Sequence, residues 1–266
     1  MNLSVSNIAW TDDDAAAAML KGHGIENIDV APGKYFNDIS SGIHHSEVFS
    51  VRDRWAERGF NIVGAQSLLY GTKGFNIFSS DETRKQMLEY LNNVCQVCAE
   101  LNATRLTFGS PKNRDRSAIT SDAEVRDIAA KFFRELGNIA VSQGVTICLE
   151  PNPTIYGCNF MTTTLETAAV VRAVGHSAIK LQLDLGAVTY NKEDLESVLN
   201  DCASLVGHIH ISEPNLVPLD LSSPHAQYGK ILNRFFPDSI ATVEMAVPPN
   251  VESLNHSVSF AKLLYL

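Results

Sequence analysis

The sequence predicts an α/β protein built as one (β/α)8 TIM barrel, a single domain over residues 1–266. Three observations predict it. Short β-rich runs alternate with longer helical patterns, most repeats are about 26 to 43 residues long, the length of a βα unit, and no linker-like stretch divides the chain. The runner-up is an open doubly wound sheet, but no glycine-rich phosphate loop follows any strand to favour it.

The elements follow in order. Candidate strands are "LSVSNIA", "NIDVAP", "NIVGAQSLL", "TRLTFGS", "VTICLE", "IKLQLD", "VGHIHIS" and "IATVEM", starting near residues 3, 27, 61, 104, 145, 179, 206 and 240. Several are almost continuously apolar, as strands covered by helices on one face and a core on the other should be. Between them, "SSDETRKQMLEYLNNVCQVCAELN" opens on Ser80, Asp81 and Glu82, which suit a helix N-terminus. In the next helix Ser121 and Glu124 form a capping box, and the pattern stops at Gly144. Thr163 and Glu166 repeat the box before a helix that ends at Gly175. A further helix is expected to open at Asn191, and "VESLNHSVSFAKLLYL" closes the chain.

Composition narrows the partners. A net charge of −9, without a cluster of five or six like charges, disfavours nucleic acid. No apolar run is long enough to span a membrane, and the start "MNLSVSNIAW" has no secretory pattern, so the chain is expected to be cytoplasmic. A small-molecule substrate is the expected partner, and a homo-oligomer is compatible with the sequence. Five cysteines in such a chain argue against a disulfide framework. Cys95 and Cys98 form a CxxC inside a helical pattern with no second pair, which reads as two small apolar residues rather than a zinc site.

The chemistry lies at the strand ends. "VTICLEPNP" runs five mostly apolar residues into Glu150, then into prolines that stop the strand. Strand six ends at Asp184, strand seven at His210 and strand eight at Glu244, at separations of 34, 26 and 34 residues. In a parallel barrel such ends converge on one mouth. Buried carboxylates are costly unless paired, protonated or coordinated, and three around one point repel. A divalent cation resolves that repulsion. Three oxygen ligands and one imidazole suit Mn²⁺ best, with Mg²⁺, Co²⁺ or Zn²⁺ also compatible. His208 shares the inner face of strand seven and reads as a satisfied core histidine, with support of the metal ligands as its other reading.

These four residues, with "FGSPKNR" after strand four and "HIHISEPN" on strand seven, resemble the xylose isomerase-like TIM barrels. Within them the chain is similar to the sugar (phosphate) isomerases and epimerases, such as ketose 3-epimerases, inosose isomerases and hydroxypyruvate isomerases. The resemblance implies a metal held by Glu150, Asp184, His210 and Glu244, with Glu150 and Glu244 also acting as catalytic acid and base. It also exposes departures from the ketose 3-epimerase pattern. Tyr156 stands where those enzymes have a glutamate, Ala187 where they have a histidine, and Leu216 where they have an arginine. All three family residues hold substrate oxygens, so a free ketohexose bound in the usual way is not expected.

Other groups are candidates for substrate binding. Lys112 and Arg114, in the loop after strand four, suit a phosphate or carboxylate. Gln66, Glu213, His225 and Asn7 are weaker polar candidates, and Tyr156 and Trp10 have rings that suit a sugar face or simple packing. The leading expectation is a metal-dependent isomerase or epimerase of a sugar, sugar phosphate or related hydroxy-carbonyl compound. A dehydratase on the same scaffold is the alternative, since the same enolate can expel a hydroxyl. A non-catalytic metal-containing binding protein is the alternative of another class. The endonuclease IV-like DNA repair barrels fit poorly, because Ala187 replaces one of their histidines and the chain is acidic.

Overall fold

The computed structural model describes residues 1–40, 42–220 and 223–266. Eight strands pair in chain order, all parallel: β1 (Asn2–Ser6), β2 (Asn27–Val30), β3 (Asn61–Ala65), β4 (Arg105–Phe108), β5 (Thr146–Leu149), β6 (Ile179–Asp184), β7 (Val206–Ile211) and β8 (Ile240–Val243). Pairing of β8 with β1 closes the barrel, which excludes the open sheet. Nine helices lie among the described residues: α1 (Asp13–Gly22), α2 (His45–Glu57), α3 (Asp81–Glu100), α4 (Asp122–Gln143), α5 (Thr164–Val174), α6 (Leu185–Asn191), α7 (Leu195–Cys202), α8 (His225–Phe235) and α9 (Val251–Tyr265).

The caps act largely as the sequence implied. The Ser80, Ser121 and Thr163 hydroxyls accept from the backbone N–H three residues on, and Gly144 ends α4 at φ 72°, a left-handed conformation that favours glycine. Two details differ. The Glu166 carboxylate does not close a box on Thr163 but accepts from the Met161 and Thr162 N–H groups. Asn191 does not open a helix; it ends α6, and Asp194 caps α7 by accepting from Ser197 N–H.

Period-two alternation splits each strand between two environments. Leu181 and Leu183 of β6, Ile209 and Ile211 of β7, and Ala241 and Val243 of β8 are buried in the apolar layer beneath the helices. Cys95 and Cys98 lie in that layer, with burial pushing the Cys95 thiol up to about 12, so they are inert packing groups. The alternate residues point into the barrel and bond across it. Thr107 of β4 donates to Gln182 of β6 at 3.2 Å, and Asp29 of β2 meets His208 of β7 at 2.6 Å. No helix among the described residues is long and apolar enough to cross a membrane.

Candidate metal centre at the barrel mouth

Strand register assembles the site. Asp184 on β6 is the direct partner of His210 on β7. Glu150 and Glu244 each stand one residue past a strand but stay on the ladder, donating N–H to Phe108 O at 3.1 Å and Ile211 O at 2.9 Å. One ligand atom from each of Glu150, Asp184, His210 and Glu244 therefore lies within 4.8 Å of the others.

The donor set fits a cation. His210 is wholly buried, and its Nδ1 lies 3.1 Å from Glu244 Oε2 and 3.3 Å from Glu150 Oε1. Neither ring nitrogen makes a hydrogen bond of acceptable geometry. Unpartnered buried imidazole nitrogens with three carboxylates converging beside them are the arrangement a divalent ion completes. Electrostatics agree. Burial, with Glu150 and Glu244 nearby, lifts the Asp184 carboxyl to about 7. Burial pushes the His210 imidazole down, but the two glutamates outweigh it and hold the ring well above the usual histidine range. Burial likewise raises Glu244, yet His210 and Gln66 bring it below the ordinary carboxylate value. Without a metal, protons are drawn into the same space.

Each of the three candidate carboxylates is held from behind. Asp184 Oδ1 caps α6 by accepting from Ala187 N–H at 2.6 Å, and Oδ2 accepts from Ser212 Oγ at 2.7 Å. Asn152 Nδ2 donates to Glu150 Oε2 at 3.1 Å, and Gln66 Nε2 donates to Glu244 Oε1 at 2.5 Å. Gly109 gives Glu150 its room: a Cβ there would fall 1.9 Å from Oε2.

The remaining candidates separate by position. Two clefts meet at Glu150 and Glu244. One, of about 230 Å³, is lined by Gln66, Ser67, Tyr70, Thr107 and Ser110 among others. The other, of about 330 Å³, takes in Tyr156, Glu213, Leu216 and three prolines. Gln66, Tyr156 and Glu213 thus reach the mouth. His225 does not; it is wholly buried behind Glu213, bonded to it at 3.0 Å and to Tyr265 at 2.6 Å. Arg114 is not a cation at the opening. It is wholly buried and donates to the Glu150 carbonyl at 2.7 Å, a support under the ligand. Lys112 is exposed and lines neither cleft. Asn7 accepts from Ala31 N–H, and Trp10 packs edge-on against Trp55, both as core groups.

Asn152, Ser212, Gly109 and Asp29 escaped the sequence reading. Asn152 follows Glu150 by two residues in "EPNP". Asp29 had the stronger signal, an acid between two apolar residues, Ile28 and Val30, of a short strand. It accepts from Ser4 Oγ at 3.0 Å and pairs with His208, which Thr242 Oγ1 also meets at 3.2 Å. Gly64 makes its space, since a Cβ there would sit 2.5 Å from Oδ2.

Comparison with known proteins agrees with this architecture. D-psicose 3-epimerase, solved in the presence of D-fructose, superposes with a TM-score of 0.83 at 16% identity, over 100% of this chain and 99% of that one. The 3-keto-D-glucoside 4-epimerase YcjR of E. coli gives 0.80 at 14% identity, over 99% of each chain. The IOLI protein with a bound zinc atom gives 0.75 at 14% identity, over 99% of this chain and 96% of that one. No curated protein matches the chain in sequence. A family profile described as xylose isomerase-like TIM barrel matches residues 15–256, and with the closed barrel around its acidic mouth the chain belongs to that family.

Proposed function

We propose that this protein is a metal-dependent isomerase or epimerase of a sugar or related small hydroxy-ketone. The observation that carries the reading is the convergence of Glu150, Asp184, His210 and Glu244 within 4.8 Å at the mouth. These four residues would hold one divalent ion, Mn²⁺ first, with Mg²⁺, Co²⁺ or Zn²⁺ as alternatives for this donor set. When bound, the ion supplies a Lewis acid that neutralises the acids and favours negative charge on a substrate oxygen. The proton work belongs to the chain.

Glu150 on β5 and Glu244 on β8 bracket the residues of β6 and β7. One takes the proton from the carbon beside the carbonyl, leaving a planar enediolate; the other returns a proton, to the opposite face or to the neighbouring carbon. Amide donors from Asn152 and Gln66 hold the two carboxylates in place for that transfer. The two clefts leave room for both arms of a substrate.

The test is solvent exchange. Protein loaded with Mn²⁺ in D₂O is expected to place deuterium at the carbon beside the carbonyl of at least one ketose or inosose in a panel, with conversion to its isomer. A metal-loaded protein that exchanges none of them is a binding protein, and the catalytic reading fails.

A further inference from the structure

Resting on the proposed sugar chemistry, we infer that the substrate carries an uncharged, apolar group on the arm that enters the cleft beside Tyr156 and Leu216, rather than a phosphate or a bare hydroxyl chain.

The two clefts differ in what they offer. The first places the amide and hydroxyls of Gln66, Ser67, Thr107 and Ser110 around a substrate arm, so it suits a polyol. In the second, Pro111, Pro151, Pro153, Tyr156 and Leu216 supply an apolar wall beside the mouth acids and Asn152. No lysine or arginine lines either cleft among the described residues.

That wall is fixed, not fluid. Asn215 and Leu216 both sit in the left-handed region, at φ 62° and 52°, a conformation that non-glycine side chains adopt at a cost. Three hydrogen bonds hold them there: Asn215 N–H donates to Tyr156 Oη at 2.7 Å, Leu216 N–H to Glu213 O at 2.9 Å, and Ala246 N–H to Leu216 O at 2.9 Å. The strained turn and the tyrosine ring are therefore locked together, and three proline rings complete the surface. Leu216 and Tyr156 have no reason to be pinned in this way for a solvated hydroxyl chain, whereas an apolar group gains by leaving water against a preformed wall.

Charge points the same way. Three ligand carboxylates against one dication leave one negative charge at the centre, and Glu213 adds a fourth acid beside it. Arg114 is wholly buried beneath the Glu150 backbone and lines neither cleft. An anionic substituent would enter a field of its own sign without a partner.

The experiment compares one ketose with three ends. Isothermal titration of the Mn²⁺-loaded protein is run with D-fructose, 6-O-benzyl-D-fructose and D-fructose 6-phosphate. The benzyl ether is expected to bind at least about tenfold tighter than D-fructose, the scale of a small apolar group in a fitted pocket, and the phosphate most weakly. Leu216→Arg should reverse the order of ether and phosphate. Tyr156→Ala, checked for fold by circular dichroism and for Mn²⁺ content, should bring the ether-to-fructose ratio toward one. Equal or tighter binding of D-fructose or its phosphate by the wild type overturns the inference, as does failure of all three to bind. Deuterium exchange into the same three ketones and the wider panel separates the parent reading: a benzyl preference with exchange into no member of the panel sustains the apolar arm and overturns the isomerase.

Discussion

Two buried acid–histidine clusters lie one above the other inside the barrel, and they differ in how their charge is answered. In the lower layer one acid, Asp29, meets one histidine, His208, with Ser4 and Thr242 completing the bonds. Burial raises the Asp29 carboxyl, but the charge and hydrogen bond of His208 outweigh it and hold it below the usual range. In the mouth three acids face one histidine, and Asp184 is lifted instead. The same residue types thus make a closed network in one layer and an unbalanced one in the next. Balance marks a group that serves the fold; imbalance marks a place where something positive belongs.

Mutations should break the two layers differently. The largest effect is expected at the mouth. Glu150→Gln or Glu244→Gln keeps shape and an oxygen ligand but removes the base, and turnover should fall by roughly 10²–10⁴-fold. Metal content measured on the same samples separates lost chemistry from lost metal; wild-type kcat in both loaded variants would leave these acids as ligands only. His210→Ala should lower Mn²⁺ occupancy by elemental analysis, because it removes the one nitrogen ligand. Asp29→Asn should do the reverse, costing roughly 3–5 kcal/mol of stability, the scale for breaking a buried pair, while Mn²⁺ is retained. Denaturant melts and metal analysis of that variant check it, and loss of metal with unchanged stability would erase the distinction between the layers.

Titration offers a smaller and reversible break. Asp184 has a carboxyl lifted from 3.8 to about 7, so the metal-free folded state keeps a proton that the unfolded chain has released between those values. Its contribution is fully present below about pH 4 and is lost as pH rises through about 7. The raised imidazole of His210 acts in the same direction. Metal-free protein should therefore melt lower at pH 8 than at pH 6, by about 2–4 °C for each kcal/mol lost. Added Mn²⁺, which replaces those protons, should raise Tm more at pH 8 than at pH 6. The smallest effect is expected at Arg114. Arg114→Met removes one hydrogen bond to Glu150 O and should cost about 1–3 kcal/mol, lowering kcat through a looser Glu150 without a selective rise in KM for phosphorylated substrates.

Much of this was legible in the chain. The eight strands and the four mouth residues follow from repeat length and strand-end register, because a parallel barrel converts equal register into proximity. What did not follow was set by loop geometry. Arg114 and Lys112 are two residues apart in one loop, yet a 3₁₀ turn at Pro111–Arg114 buries the first and exposes the second. His225 opens a helix in sequence, but only packing against Tyr265 shows that it faces away from the mouth. Asp29 was visible as an acid between Ile28 and Val30, and its meaning depended on Gly64 and His208, distant in the chain.

Asp184 caps α6 with one oxygen and takes the Ser212 hydroxyl on the other. Such a carboxylate is aimed when the helix forms and cannot swing to suit whatever arrives. The ordering cost of that ligand is met during folding rather than at binding. A rigid set of donors also works as a gauge: it accepts ions whose radius matches the preset spacing and penalises larger ones such as Ca²⁺, which prefer pliant, many-oxygen shells. In the proposed metal centre the helix cap would thus act as part of the cation filter.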